Sequence, residues 1–297
     1  MLGPLAPGRG NTWRARPPPR ARPGRRSGSR APRGPPPRAS AQHGPRARRS
    51  RERASAFPRR LASVEGELGV RLRYAPQVRW LCISDIQGDA NALAAVLAAA
   101  ERRGYARLLV AGDLCFPGDQ PLEVWRRLMQ AQATMVQGVG DKAVATIDPG
   151  KIRGRDEHER QRLERLAVAR AELGELILAR LSRLAPSVRM PLPDGGELML
   201  VHGSPLDPTE PFTHDMSDDE IRALLGDDPA DVVVCGGSHV PFDRTVMGVR
   251  VINVGSVGEA LSGAQPTSAR HADATFLEFR GADLLVEQFV VPLGAAA

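Results

Sequence analysis

Short apolar runs that end in an aspartate mark the beginning of regular structure in this chain. Residues 79–85 and 107–113 both have this pattern, which predicts buried strands that each deliver an acid at the tip. Asp89 is placed to cap a following helix that is rich in alanine and leucine and runs through about residue 103. A helix at about 122–130 and a strand at 133–138 come next.

A long helix is predicted from about residue 156 to residue 184. Apolar residues recur there at steps of three and four, which forms one stripe along the helix, while the opposite face is densely charged. The stripe consists of Leu163, Leu166, Ala169, Leu173, Ile177, Leu181 and Leu184. We interpret it as packing against the core rather than as a partner-binding face.

The second half of the chain is richer in strands. The pattern predicts strands near 197–201, 231–235, 249–254, 274–279 and 284–291, and a helix at about 217–225. Strand–helix alternation followed by strand-rich sequence predicts an α/β fold with two packed sheets flanked by helices. Residues 79–297 are therefore predicted to form one domain, preceded by a linker at 61–78.

Residues 1–60 differ in composition from the rest of the chain. They contain 17 arginines, no lysine and one acidic residue, Glu52, whereas the remainder has 24 basic and 33 acidic residues. This proline- and glycine-rich segment cannot bury enough apolar surface to order itself, so it is predicted to be a disordered tail. A dispensable tail is the interpretation we favour; a basic arm for nucleic acid or an acidic surface, and a transit peptide, are the alternatives.

The cysteines and the hydropathy pattern bear on the compartment. Cys82, Cys115 and Cys235 are widely spaced, which fits a reducing environment and argues against a disulfide framework. No apolar stretch approaches the roughly 18 residues of a membrane span. We therefore expect a cytoplasmic protein without a membrane partner.

Polar residues with metal-binding chemistry follow five of the predicted strands. These residues are Asp85, Asp113, Asp141, His202 and His239. The carboxyl ends of strands in open α/β sheets converge on a ligand crevice, so these side chains are expected to lie close together. Carboxylate and imidazole donors suit divalent metals such as Mn, Fe or Zn, and the pattern predicts a metal-assisted site.

Six motifs in this order resemble the calcineurin-like metallophosphoesterase family, most closely its small bacterial branch. The motifs are SDIQGDAN at 84–91, AGDL at 111–114, GVGD at 138–141, VHGSP at 201–205, CGGSHVPF at 235–242 and INVGSVG at 252–258. The resemblance implies a four-layer α/β/β/α sandwich. It also implies two divalent cations that share one carboxylate and activate water for in-line attack on a phosphate ester.

The resemblance assigns roles to four of these residues. Asp85 and His239 match ligands of the first metal, Asp113 matches the bridging carboxylate, and His202 matches a ligand of the second metal. His202 is also the candidate catalytic residue, because it would hold phosphate or serve as an acid. In this chain Gln87 stands where the family has histidine, and its amide oxygen remains a candidate first-metal ligand.

Three further departures remove donors from the second metal and from the reacting phosphate. Val139 and Gly140 replace an Asn-His pair, and Gly237 replaces a histidine. We therefore expect at most one divalent cation, of Mn, Fe, Zn or Ni, rather than two.

Three functions follow from this pattern. The first is a phosphoric ester hydrolase, such as a phosphodiesterase, of weak or single-metal activity, acting on a phosphate-containing small molecule or nucleotide. The second is a non-catalytic, regulatory pseudoenzyme that binds such a ligand. The third is nucleic-acid binding through the basic tail. A homo-oligomer is an open option, since relatives in the family often self-associate.

Overall fold

The computed structural model describes residues 78–193, 195–259, 270–281 and 283–294. The predicted disordered tail at 1–60 and the predicted linker, apart from residue 78, lie outside the described residues. The elements in chain order are β1 Val78–Ile83, α1 Ala90–Glu101, β2 Arg107–Val110, α2 Pro121–Gln130, β3 Thr134–Met135, α3 Val139–Thr146, a 3₁₀ turn Pro149–Lys151, α4 Glu157–Leu181, β4 Ser187–Pro191, β5 Glu197–Val201, α5 Asp218–Leu225, β6 Val232–Cys235, β7 Phe242–Val246, β8 Val249–Asn253, β9 His271–Arg280 and β10 Asp283–Pro292.

The described strands form two mixed five-stranded sheets. The first has the order β10-β9-β1-β2-β3 and the second the order β4-β5-β6-β8-β7. In the first sheet β1, β2 and β3 are parallel, and β9 and β10 add antiparallel strands. In the second sheet β5, β6 and β8 are parallel, between antiparallel β4 and β7. Each sheet therefore contains three parallel strands whose carboxyl ends lie at the same edge of the sheet.

Side-chain alternation along the central strands builds the layers. Successive residues of a strand point to opposite faces. Trp80 and Cys82 of β1 accordingly pack between the two sheets with Leu200 and Val234 of the second sheet. Leu81 and Ile83 face a core shared with α1, α2 and α4, and the outer face of the second sheet packs against α5. This arrangement confirms the predicted α/β/β/α layering.

The long helix predicted at 156–184 is correct in position but wrong in continuity. Gly174 has φ 71° and ψ 164°, which interrupts α4 within its length. Before the interruption Leu166, Ala169 and Leu173 are buried as the stripe predicts, whereas after it Leu178 is buried and Ile177 is only partly buried. The core-packing interpretation of the stripe is confirmed, since Leu181 after the interruption is also fully buried, and Leu178 joins it although it lies outside the predicted stripe.

Three elements escape the hydropathy pattern, and one prediction is too long. Helix α3 and the edge strands β4 and β7 were not expected, and β3 covers two residues rather than the predicted six. Edge strands and short helices bury few residues, so their apolar periodicity is weak. No helix in the described part of the chain is both long enough and apolar enough to span a membrane.

Candidate metal centre

The loops after β1 and β2 place two aspartates side by side. The Asp85 N–H donates to Gly112 O at 3.1 Å, and the Gln87 N–H donates to Asp113 O at 2.8 Å. The two loops thus continue the pairing of β1 with β2 beyond the strands themselves. This brings the Asp85 and Asp113 side chains to the same edge of the sheet, as the sequence predicts.

Backbone strain is concentrated at the same residues. Among the described residues, six that are not glycine have positive φ, and four of them are candidate site residues. These four are Asp85 at 52°, Gln87 at 53°, Asp113 at 51° and His239 at 60°. Left-handed backbone costs a non-glycine residue about 1–3 kcal/mol and persists where surrounding contacts hold it, typically at functional sites.

The two carboxylates have environments that separate their acidities. Burial raises the pKa of Asp113, and the neighbouring Asp85 raises it further. Burial also acts to raise the pKa of Asp85, but His239, His202 and the Gly237 N–H outweigh it, so this pKa lies below its usual value. Two carboxylates this close repel each other when both are ionised, and such pairs are common where a protein binds a cation or carries out acid–base chemistry.

His202, at the end of β5, is oriented by a backbone carbonyl of the other sheet. Its Nδ1 lies 2.8 Å from Ala111 O, and because a carbonyl only accepts, Nδ1 carries the proton. Its Nε2 then faces the site, 3.7 Å from Asp113 Oδ2. Burial acts to lower the pKa of His202, but Asp113 and Asp85 outweigh it and raise this pKa.

Three polar side-chain groups meet around His239. His239 Nε2 lies 3.2 Å from Asp85 Oδ1 and 3.1 Å from Gln87 Nε2. Asp85 Oδ1 and Gln87 Oε1 are nevertheless buried without a hydrogen-bond partner. Amide oxygen and nitrogen exchange places by a simple rotation of the Gln87 side chain, which would turn Oε1 toward the same point. Converging acceptors without donors are the arrangement that a cation satisfies.

Donor atoms of Asp85, Asp113 and His202 also lie within 4.8 Å of one another. Carboxylate and imidazole groups at this separation fit a borderline divalent metal. We call the side of the centre that retains its donors the donor-rich half; it comprises Asp85, Gln87, Asp113 and His239.

The donor-poor half comprises Val139, Gly140, His202 and Gly237. The Val139 side chain is 46% exposed and is apolar. The Gly140 N–H donates to Asp113 Oδ1 at 2.7 Å, and the Gly237 N–H donates to Asp85 Oδ2 at 2.9 Å. Of this half, His202 offers a side-chain donor, while the two glycines contribute backbone N–H groups that orient the aspartates.

Asp141 does not join the cluster that the strand pattern predicts. Its Oδ1 accepts from the Leu114 N–H and its Oδ2 from the Gly138 N–H, both at 2.9 Å, which caps the start of α3. Complete burial and the nearby Asp113 raise the pKa of Asp141 to about 7, against the two N–H groups that lower it. Asp141 therefore positions the loop that carries Gly140 rather than facing the site.

Basic residues of α4 were missed as part of the site. A cavity of about 420 Å³ beside Asp113 is lined by His158, Arg162 and Arg165. The signal was present in the sequence, because these three residues are spaced four and three apart and so share a helix face. The face opposite the apolar stripe is described from the sequence only as densely charged.

Comparison with known proteins agrees with this fold. The calcineurin-like phosphoesterase superfamily domain matches residues 78–273. A hypothetical protein from Pyrococcus horikoshii OT3 has a similar structure, with 20% identity, a TM-score of 0.59 and coverage of 73% of this chain and 89% of its own. A metallophosphoesterase from Sphaerobacter thermophilus is similar at 21% identity, with a TM-score of 0.54 and coverage of 71% and 87%.

A search of curated proteins finds no match. The matched residues make up most of the chain and include all six motifs. This chain belongs to the calcineurin-like phosphoesterase superfamily.

Proposed function

We propose that this protein is a metal-dependent phosphoric ester hydrolase that works with one divalent cation rather than two. The observation that carries the proposal is the meeting of Asp85 Oδ1, the side-chain amide of Gln87 and His239 Nε2 beside Asp113, where the Asp85 Oδ1 and Gln87 Oε1 oxygens lack partners. Two of these atoms are buried oxygens without a hydrogen-bond donor. Burying such groups costs free energy unless something satisfies them, and a cation does so.

Asp85, Asp113, His239 and Gln87 would hold the cation. When bound, a divalent cation polarises a phosphoryl oxygen and makes water a stronger nucleophile. The Gly140 and Gly237 N–H groups fix the orientation of the two aspartates, so these ligands are set before a cation arrives.

His202 would serve the reacting phosphate. Its Nδ1–H is committed to Ala111 O, so Nε2 is the nitrogen available to the site. Its pKa is raised against burial by Asp113 and Asp85, which favours a proton on Nε2. From this position His202 can bind a phosphate oxygen and give its proton to the departing alcohol. His202 as a fourth metal ligand is the alternative role.

The test combines metal content with turnover. The purified full-length chain is loaded with Mn²⁺, its metal is measured by elemental analysis, and hydrolysis of a generic aryl phosphodiester is followed. We expect about one ion per chain, and a loss of turnover of about 10²-fold or more in Asp113→Asn. Asp283→Asn, at the exposed start of β10, is the matched control and should change neither quantity. Two ions per chain, or turnover that is insensitive to Asp113→Asn, would contradict the proposal.

A non-catalytic ligand-binding protein is the second candidate, and the donor-poor half favours it. Val139 and Gly237 offer no side-chain donor where the family has Asn and His. Full metal loading with no turnover above that of Asp113→Asn would select this candidate. The pocket would then bind a phosphate-containing ligand without converting it.

Nucleic-acid binding through residues 1–60 stays a prediction, because these residues lie outside the described part of the chain. Arginine-rich segments bind phosphate regardless of sequence and depend steeply on salt. Deletion of residues 1–60, with binding measured at two salt concentrations, separates this role from those of the folded domain. Unchanged binding after the deletion would exclude it.

A further inference from the structure

The cavity beside Asp113 has one strongly basic wall. His158, Arg162 and Arg165 line it from α4, opposite Asp113, Val139 and Gly140. Seven residues of helix span about 10 Å, so the three basic groups form a row of about that length. All three line the same cavity as Asp113 and Gln87 of the candidate metal centre.

Arg162 and Arg165 differ from three neighbouring arginines, Arg155, Arg160 and Arg170. Arg155 and Arg160 form ion pairs with Glu159 and Glu157, and Arg170 donates to Val144 O. Within the described residues the side chains of Arg162 and Arg165 form no ion pair and no hydrogen bond. Two guanidinium groups that line a cavity without a carboxylate partner are available for an anion.

The cavity also has two acidic residues in its lining, against the three basic residues of the row. These acidic residues are Asp113 and Glu259, but Asp113 belongs to the donor-rich half, where a cation would offset its charge. The adjoining cavity of about 480 Å³ shares Arg165 and Glu259 and is also lined by Arg270. Arg270 is paired with Asp89 at 2.6 Å, so α4 supplies the cations without such a partner among the described residues.

Size points to a ligand larger than one phosphate. The volume of about 420 Å³ lies within the range of small-molecule sites, roughly 300–1,000 Å³. Val139, Gly140 and Ala143 line the cavity beside Asp113, and all three are uncharged. Gly140 is also much smaller than the histidine that the family has at this position. The donors missing from the donor-poor half leave room for additional atoms of a substrate.

We infer that Arg162 and Arg165, assisted by His158, form an anion subsite that binds a second phosphate of the substrate, one linked to the phosphate at the metal centre. The preferred ligand class is a polyphosphate chain, either free or carried by a nucleotide. This inference rests on the proposed function for the position of the first phosphate. The arginines would place positive charge against the second phosphate of the substrate. This charge would replace that of the second metal, for which the donor-poor half lacks ligands.

The experiment measures thermal unfolding of the full-length chain, as purified and without added divalent cation. The 17 arginines within residues 1–60 also attract polyphosphate. A ligand bound equally by the folded and unfolded chain leaves Tm unchanged, so the Tm shift reports sites created by folding. At a concentration of about ten times its Kd, inorganic tripolyphosphate should raise the wild-type Tm by about 4 °C. Orthophosphate at the same concentration should raise it by less than about 1 °C.

Two matched double variants test the assignment. Arg162→Gln with Arg165→Gln should reduce the tripolyphosphate shift to less than about 1 °C. Arg180→Gln with Arg183→Gln changes the net charge equally at the far end of α4 and should keep the wild-type shift. Val139→Glu is a third variant, which places a carboxylate on the opposite wall while leaving the arginines in place. It should also reduce the shift.

An equal shift in wild type and in the Arg162/Arg165 variant would overturn the inference, and so would an equal loss in both double variants. A shift that survives in Asp113→Asn supports the subsite even if hydrolysis fails, which separates this inference from the proposed function. Repeating the titration with a nucleoside triphosphate identifies the source. A larger shift than with tripolyphosphate indicates a nucleotide, and an equal shift indicates the phosphate chain itself.

Discussion

The donor-rich half and the donor-poor half of the metal centre stand on the same kind of backbone but carry different side chains. Backbone hydrogen bonds join the two halves, because the Gly237 N–H donates to Asp85 and the Gly140 N–H donates to Asp113. The donor-rich half adds two carboxylates, an imidazole and an amide around one point. The donor-poor half adds one imidazole, His202.

This difference shows that the loop backbone that positions metal ligands can be kept while some of the ligand side chains are lost. The strained backbone at Asp85, Gln87 and Asp113 is kept although positions across the site have lost their donors. Strain of this kind persists where surrounding contacts determine it. The loops are bound into both sheets by hydrogen bonds, so replacing a side chain at Val139 or Gly237 leaves the loop path intact.

The largest effect is expected from Asp85→Asn. Asp85 is fully buried and carries the negative charge nearest to His239. Its loss should reduce bound Mn²⁺ to well below one ion per chain and lower turnover by about 10²–10³-fold. Elemental analysis and an aryl phosphodiester assay measure both. Retained metal with retained turnover would place the cation elsewhere and break the distinction between the halves.

Substitution of one histidine from each half tests the two halves separately. His239→Asn should abolish metal binding, because it removes a ligand of the donor-rich half. His202→Asn should keep the ion and lower turnover by about 10²-fold, because it removes proton transfer rather than a ligand. Metal content and turnover of both variants are measured together. Metal loss in both would make His202 a ligand, the alternative role stated above.

Restoring donors tests the donor-poor half. Val139→Asn with Gly237→His supplies the two side chains that the family pattern has there, and should raise Mn²⁺ toward two ions per chain and turnover by about tenfold. Gly237 has φ 75° and an added Cβ would lie 3.1 Å from Pro211 Cβ, so we expect a cost of about 1–2 kcal/mol in stability. Val139→Ala with Gly237→Ala is the control without donors. Unchanged metal content in the restored variant would show that the missing side-chain donors are not the only reason why the second metal does not bind.

The smallest effect is expected from a substitution of Asp141, whose carboxylate positions the loop that carries Gly140 of the donor-poor half. Asp141→Asn should destabilise the metal-free protein by about 1–3 kcal/mol near pH 5, because an amide cannot accept from both Leu114 and Gly138. The folded pKa of Asp141 is raised to about 7 from 3.8, so the folded state keeps a proton that the unfolded state releases. The advantage of wild type over the variant should therefore shrink as pH rises from about 4 to about 7. Denaturant unfolding across this range measures it, and a growing advantage would mean that the two N–H groups outweigh burial.

The strands and the candidate metal residues were predictable from sequence for one reason. Central strands are buried on alternating faces, and a polar residue after such a run stands out against it. Asp85 after β1, Asp113 after β2 and His202 after β5 all carried this signal. The structure brings these three together.

The interruption of α4 and the orientation of Asp141 were not predictable in the same way. Gly174 occurs within an otherwise unbroken helical pattern, and a helix can tolerate such a glycine. Asp141 resembles Asp113 in sequence, since each follows a glycine after a predicted strand. Its carboxylate instead meets the Leu114 and Gly138 N–H groups, a competition that depends on where two loops lie in space.

The sequence by itself determined the family, the layered α/β architecture and the residues that could serve as metal donors, because hydrophobic periodicity and motif order are local properties of the chain. The tertiary structure decided which donors share a point, which aspartate turns inward to cap a helix, and which charged face of α4 lines the cavity beside Asp113. These outcomes depend on distances between segments far apart in the chain, and those distances are set by how the two sheets and α4 pack.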